Sequence, residues 1–209
     1  MQSNMTKRII LALIGILLIA IGVAFNAAAG FGNDPIGIVY DGVRNATGLS
    51  QEQLGFVSNF VNIALIVVLL FVGRKYIHIG TLIYILPYGA FVTLGTNLYF
   101  AIFGQGIFIN RLIAVVIGCI FIYIGVGLYI TVNIGLDPFT GVVMVLSDWS
   151  RWEFRRTKIC FDIGLVILGT LLGGTLGVIT FITAFTAGPS IQYFSKVFTR
   201  ALSGWLEGE

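Results

Sequence analysis

RIILALIGILLIAIGVAFNAAAGFGNDP, residues Arg8 to Pro35, is echoed 103 positions later by RLIAVVIGCIFIYIGVGLYITVNIGLDP, residues Arg111 to Pro138. Arg8/Arg111, Gly15/Gly118, Gly22/Gly125, Gly32/Gly135, Asp34/Asp137 and Pro35/Pro138 fall in register. Unrelated apolar segments share isoleucine and leucine by chance, but not three glycines and a Gly-x-Asp-Pro. The match continues at slightly smaller shifts. Asn62-Ile63-Ala64-Leu65 lies on Asp162-Ile163-Gly164-Leu165 at a shift of 100, and Thr81, Ile83 and Gly89 lie on Thr180, Ile182 and Gly188 at 99. Each half therefore predicts a long helix, a Gly-x-Asp-Pro turn, a short helix and two further helices. The first repeat covers about residues 8–103 and the second about 111–198, within a single membrane domain, 1–209.

Composition decides the solvent. Of 209 residues, 57% are hydrophobic and only 10% are charged, against about 25% charged in an ordinary soluble domain. A water-covered surface cannot be built from that pool. The chain is predicted to be an all-α membrane protein with six transmembrane helices, near Arg8–Phe31, Leu54–Gly73, Gly80–Phe103, Arg111–Asn133, Thr157–Gly173 and Val178–Phe198. Lys7, Arg8, the following apolar run and Ala27-Ala28-Ala29 imitate a signal peptide. The self-match argues for a retained first helix instead. Cys119 and Cys160 sit in apolar runs and read as small buried hydrophobes.

Each short segment opens with Pro, whose missing N–H is not needed in a first helical turn. The preceding Asp34 and Asp137 stand where a carboxylate accepts free backbone N–H groups. A dozen residues rise about 18 Å at 1.5 Å each, too little for a hydrocarbon core of about 30 Å. The short helices are therefore expected to be re-entrant or interfacial. With six spans and both termini in the cytoplasm, ten Lys and Arg residues face inward and only Arg44 and Arg111 face outward, as the positive-inside rule asks. Three spans per half is an odd number, so the halves are expected to be inverted relative to each other. Eight full spans give the same charge tally, and helix length favours six.

The candidate substrate or ion ligands are Asp34, Asp137, Asp162 and Asn62. A carboxylate inside a bilayer is costly unless it faces a cavity or a partner. Asp162 has two such options: a cavity shared with its repeat mate Asn62, or Lys158 one helical turn before it. Thr81 and Thr180 are secondary candidates. Pro87 with Gly89, and Gly188 with Pro189, are expected to kink the third and sixth spans. One histidine, no metal-spaced cluster and no nucleotide loop point away from an enzyme, a metal site and a cofactor. The net charge of +3 implies no nucleic-acid partner.

The Gly-x-Asp-Pro turns, Gly48-Leu49-Ser50, Ile79-Gly80-Thr81 and Gly188-Pro189 resemble the YczE/YyaS/YitT family of bacterial membrane proteins across nearly the whole chain. Where that family often has Pro-Trp-Asp, this chain has Pro35-Ile36-Gly37 and Pro138-Phe139-Thr140. The resemblance implies the bacterial cytoplasmic (inner) membrane. The expected function is a small-solute transporter, proton-coupled or an exporter. The alternatives are an aquaporin-like channel and a membrane-embedded substrate-binding or regulatory subunit. The expected partners are the lipid bilayer, a small-molecule solute, and a second copy or a partner membrane subunit.

Overall fold

Runs of leucine, isoleucine, valine and phenylalanine this long satisfy their backbone in hydrocarbon only as helix, and helix is what they form. The computed structural model describes residues 2–104 and 107–207. All the regular structure among them is helical: α1 (Gln2–Ala29), α2 (Pro35–Ala46), α3 (Leu54–Val72), α4 (Ile79–Phe103), α5 (Phe108–Val132), α6 (Pro138–Ser150), α7 (Phe154–Leu171) and α8 (Val178–Glu207). The side chain of Arg155, one of the basic residues expected to face inward, lies outside the described residues.

Among the described residues, four segments are long and apolar enough to cross a membrane: Met5–Ala29, Gln51–Val72, Ile79–Phe103 and Phe108–Val132. The sequence expectation was six, and the difference has a physical cause. The first half of α7 carries Arg155, Arg156, Lys158 and Asp162, while Pro189, Ser190, Gln192 and four threonines dilute α8. Large apolar side chains nevertheless point outward on both, with Leu171 and Phe185 each 81% exposed, as on α3 and α4, where Phe71 is 85% and Leu86 80% exposed. In water such a surface is a liability; against lipid tails it is the natural exterior.

The centre of the bundle is the antiparallel crossing of α1 and α5. α4 packs on α1, α8 on α5, α3 on α4, and the short α2 lies along α7. The crossing is made of glycine. A Cβ on Gly15 would sit 2.9 Å from the Gly125 carbonyl oxygen, and one on Gly118 would sit 2.9 Å from that of Gly22. Each of these contacts is the other's counterpart under the 103-residue shift.

The ends of the crossing behave the same way. Arg8 Nη1 donates to the Val132 carbonyl at 2.6 Å, and Arg111 Nε donates to the Ala29 carbonyl at 2.7 Å. The Gly80 amide donates to the Ile134 carbonyl, and the Ile179 amide to that of Phe31, both at 3.1 Å. Residues aligned by the self-match thus make matching bonds.

α4 runs unbroken through Pro87 and α8 through Pro189. Gly89 does more than accompany a proline. Its amide donates to Asn59 Oδ1 at 2.9 Å, and its bare Cα lets α4 meet α3 at Gly55.

Candidate functional site

Two short helices bring their N-termini into the bundle, each closed by its own carboxylate. Asp34 caps α2, with Oδ2 accepting from the Ile36 amide at 3.3 Å, and Asp137 caps α6, with Oδ1 accepting from the Thr140 amide at 3.0 Å. Pro35 and Pro138 occupy the first helical position of each. The turn into α2 needs Gly32, whose φ of +100° an L side chain rarely adopts.

The two secondary candidates hold these turns in place. Thr81 accepts from the His78 amide and donates to the Leu136 carbonyl at 2.7 Å, one residue before Asp137. Thr180 accepts from the Gly177 amide, and a Cβ on Gly32 would lie 2.8 Å from its Oγ1. Each threonine therefore starts a helix of one half while bracing the Asp-Pro turn of the other.

An aromatic chain joins the short helices. Tyr84 and Tyr88 stack at 4.9 Å between centroids, Tyr129 meets Tyr84 at 5.6 Å, Tyr40 meets Tyr88 at 6.0 Å, and Phe139 meets Tyr40 at 5.7 Å. Tyr40 belongs to α2, and Phe139 is the second residue of α6. The Tyr40 hydroxyl donates to Asn62 Oδ1 at 3.1 Å, and the Tyr129 hydroxyl donates to the Gly80 carbonyl at 3.1 Å.

Asn62 is fully buried on this aromatic chain. Asp162 instead pairs with Lys158. The structure thus ties Asn62 to Tyr40 and gives Asp162 its lysine.

Several buried polar atoms in this region have no hydrogen-bond partner: Asp34 Oδ1, Asn33 Nδ2, Asn62 Nδ2 and Asn26 Oδ1. Buried polar groups are almost always satisfied, so these atoms are exceptions.

Sequence reasoning missed the tyrosines. The spacing of Tyr84 and Tyr88, four residues apart and so on one helical face, was the available signal. It also missed Asp41, which accepts from Arg44 Nη2 at 2.8 Å and from the Thr175 amide at 2.8 Å, locking α2 to the loop between α7 and α8.

Residues 6–196 match a family of unknown function, DUF6198. An uncharacterized protein of Haemophilus influenzae is 23% identical over 194 residues, covering 93% of this chain and 86% of that protein. The uncharacterized protein YyaS of Bacillus subtilis is 22% identical over 193 residues, covering 90% and 92%. No solved structure matches the chain. The relation to YyaS agrees with the likeness read from the Asp-Pro turns, and with the match over residues 6–196 the chain belongs to the DUF6198 family.

Proposed function

We propose that this protein is a small-solute transporter of the bacterial cytoplasmic membrane, proton-coupled or an exporter, rather than an enzyme. The observation that carries the reading is the pair of Asp-capped short helices, with the partnerless buried atoms Asn33 Nδ2 and Asp34 Oδ1 at the turn into the first of them. Discontinuous helices whose ends converge on an interior site are a recurrent way to build a solute site in a bilayer. Tyrosine rings fill the space between the two turns, which favours a carrier that opens and closes over an open channel.

In this reading the chain has six spans arranged as two inverted repeats, with both termini in the cytoplasm. The paired contacts Gly15–Gly125 and Gly118–Gly22, and the paired bonds from Arg8 and Arg111, support the inversion, because a two-fold axis in the membrane plane exchanges the members of each pair. Outward-facing Leu171 and Phe185 support α7 and α8 as the remaining spans.

Two measurements test this. Cysteines placed at Lys75 and Arg44 should label from the inside and the outside respectively; labelling at Lys75 from outside would support eight spans. Purified protein in lipid vesicles should catalyse saturable counterflow of a solute from a panel of glycerol, acetate and tetramethylammonium, without accelerating osmotic water flow. Fast water flow without saturable exchange would indicate a channel.

A further inference from the structure

The passage from α6 into α7, Trp149 to Lys158, reads WSRWEFRRTK, four cations against one acid. Its two tryptophans stay outside the bundle, Trp149 65% and Trp152 52% exposed. Tryptophan mixed with arginine is the composition of a membrane–water interface. Of the cations, Lys158 is taken by Asp162. Arg156 is exposed and belongs to none of the ion pairs among the described residues. Its charge is left for something outside the chain.

The loop holds its tryptophan in a fixed place. Ser147 Oγ donates to the Trp152 carbonyl at 2.7 Å, and the Trp152 amide donates to Ser150 Oγ at 3.2 Å. So held, Trp152 forms with Arg156, Ile159 and Cys160 a groove of about 410 Å³. The last three are spaced three and four residues apart, on one face of α7. Beyond them the same face continues with Ile163 and Ile167, each 56% exposed, and with Leu171. From Arg156 to Leu171 the helix rises about 22 Å, enough to run the depth of one leaflet's hydrocarbon, about 15 Å. A free cation beside an indole, followed by an apolar track, matches a phospholipid from its phosphate to its acyl chain.

We propose that this groove binds an anionic phospholipid, its phosphate held by Arg156 at the Trp152 end and an acyl chain laid along Ile159, Ile163 and Ile167. The inference goes beyond the question of the solute and rests only on the reading of α7 as a span. A planar guanidinium bonds a phosphate through two N–H groups at once, and an indole sits at headgroup depth. The surplus of arginine in the loop attracts a lipid of net negative charge over one that carries its own ammonium. A free phosphate ion would meet the guanidinium but leave Ile159 and the track beyond it uncovered.

The test uses the full chain in phosphatidylcholine vesicles, with Trp149→Phe and Trp205→Phe leaving Trp152 as the one indole of the three. Phosphatidylglycerol or phosphatidylcholine brominated high on its acyl chains is added as quencher at matched mole fractions. Phosphatidylglycerol should associate about fivefold more strongly, the worth of one basic side chain at an anionic surface. Arg156→Gln should bring that ratio close to one. Arg151→Gln, on the same loop but outside the groove, should keep most of it, and excess inorganic phosphate should leave it unchanged. Melting of each variant establishes that it is folded, and the ratio with both arginines present decides the lipid class on its own. Equal quenching by the two lipids overturns the proposal and leaves α7 as a span. Equal loss of preference in the two arginine variants assigns it to diffuse surface charge and overturns the groove. Displacement by inorganic phosphate overturns the lipid as ligand. No quenching by either lipid overturns the span reading of α7 together with the proposal.

Discussion

A Cβ on Gly22 would stand 2.5 Å from the carbonyl oxygen of Gly118, so α1 and α5 touch there backbone to backbone. No side chain larger than hydrogen fits without moving a main chain. Gly22→Val should therefore destabilise the protein by about 1–3 kcal/mol, the usual cost of overpacking, read as a fall in melting temperature in detergent. Gly164, where a Cβ meets nothing within 4 Å, is the control. Gly164→Ala should melt at the same temperature or higher, because alanine is the better helix former.

Asp41 is 3% exposed and serves both Arg44 and the Thr175 amide. Removing one partner of a buried pair leaves the other charge uncompensated, at a cost of about 3–5 kcal/mol. Arg44→Ala should accordingly lower stability more than Asp41→Ala, since it strands the more buried charge, whereas Asp41→Ala leaves an Arg44 that is more exposed and still bonds the Leu49 carbonyl. Equal, small shifts in melting temperature for both variants would show that the pair contributes nothing.

Asp34 and Asp137 cap their helices, so replacing either with alanine should cost about 1 kcal/mol. Their proposed part in solute binding adds a second effect. Solute exchange in vesicles should fall by far more than the loss of folded protein accounts for. If exchange tracks the folded fraction alone, both carboxylates are caps and nothing further.

At the exposed surface, Lys75 lies 2.7 Å from Asp148, and the Tyr76 hydroxyl donates to the same carboxylate. Lys75 first and Tyr76 second hold the Asp148 carboxyl below its ordinary range. A lowered folded-state pKa means the contribution is present above the ordinary aspartate value of about 3.9 and is lost as pH falls through the lowered one. The melting difference between the natural protein and Asp148→Asn should therefore be constant from about pH 5 to 8 and vanish at more acid pH. It should be small throughout, because the pair is solvated.

What the sequence made legible was local. Asp34-Pro35 and Asp137-Pro138 start their helices because a cap and its proline act within one turn, and Lys158 meets Asp162 because four residues bring side chains together on any helix. The helix ends were less legible: α1 begins at Gln2 rather than Arg8 because a helix, unlike an apolar run, can continue through polar residues. Tyr40, Tyr84, Tyr88 and Tyr129 come from three helices, and their assembly depends on how α2, α4 and α5 pack, which no short-range pattern encodes. Asp41 escaped notice for the same reason, since its second partner is the amide of Thr175, 134 residues away.

The bonds from Arg8 and Arg111 end on carbonyl oxygens of Val132 and Ala29, so the acceptor is present whatever side chain those positions carry. Mutational drift at the accepting positions is thereby harmless to the contact, and all the constraint falls on the donor. The same holds where glycine meets a carbonyl across the crossing. Two halves joined through main-chain atoms can diverge over most of their surfaces while a handful of arginines and glycines stay put. That is how the halves of this chain now differ, with alanine, asparagine and glycine at 29, 26 and 30 facing valine, tyrosine and asparagine at 132, 129 and 133.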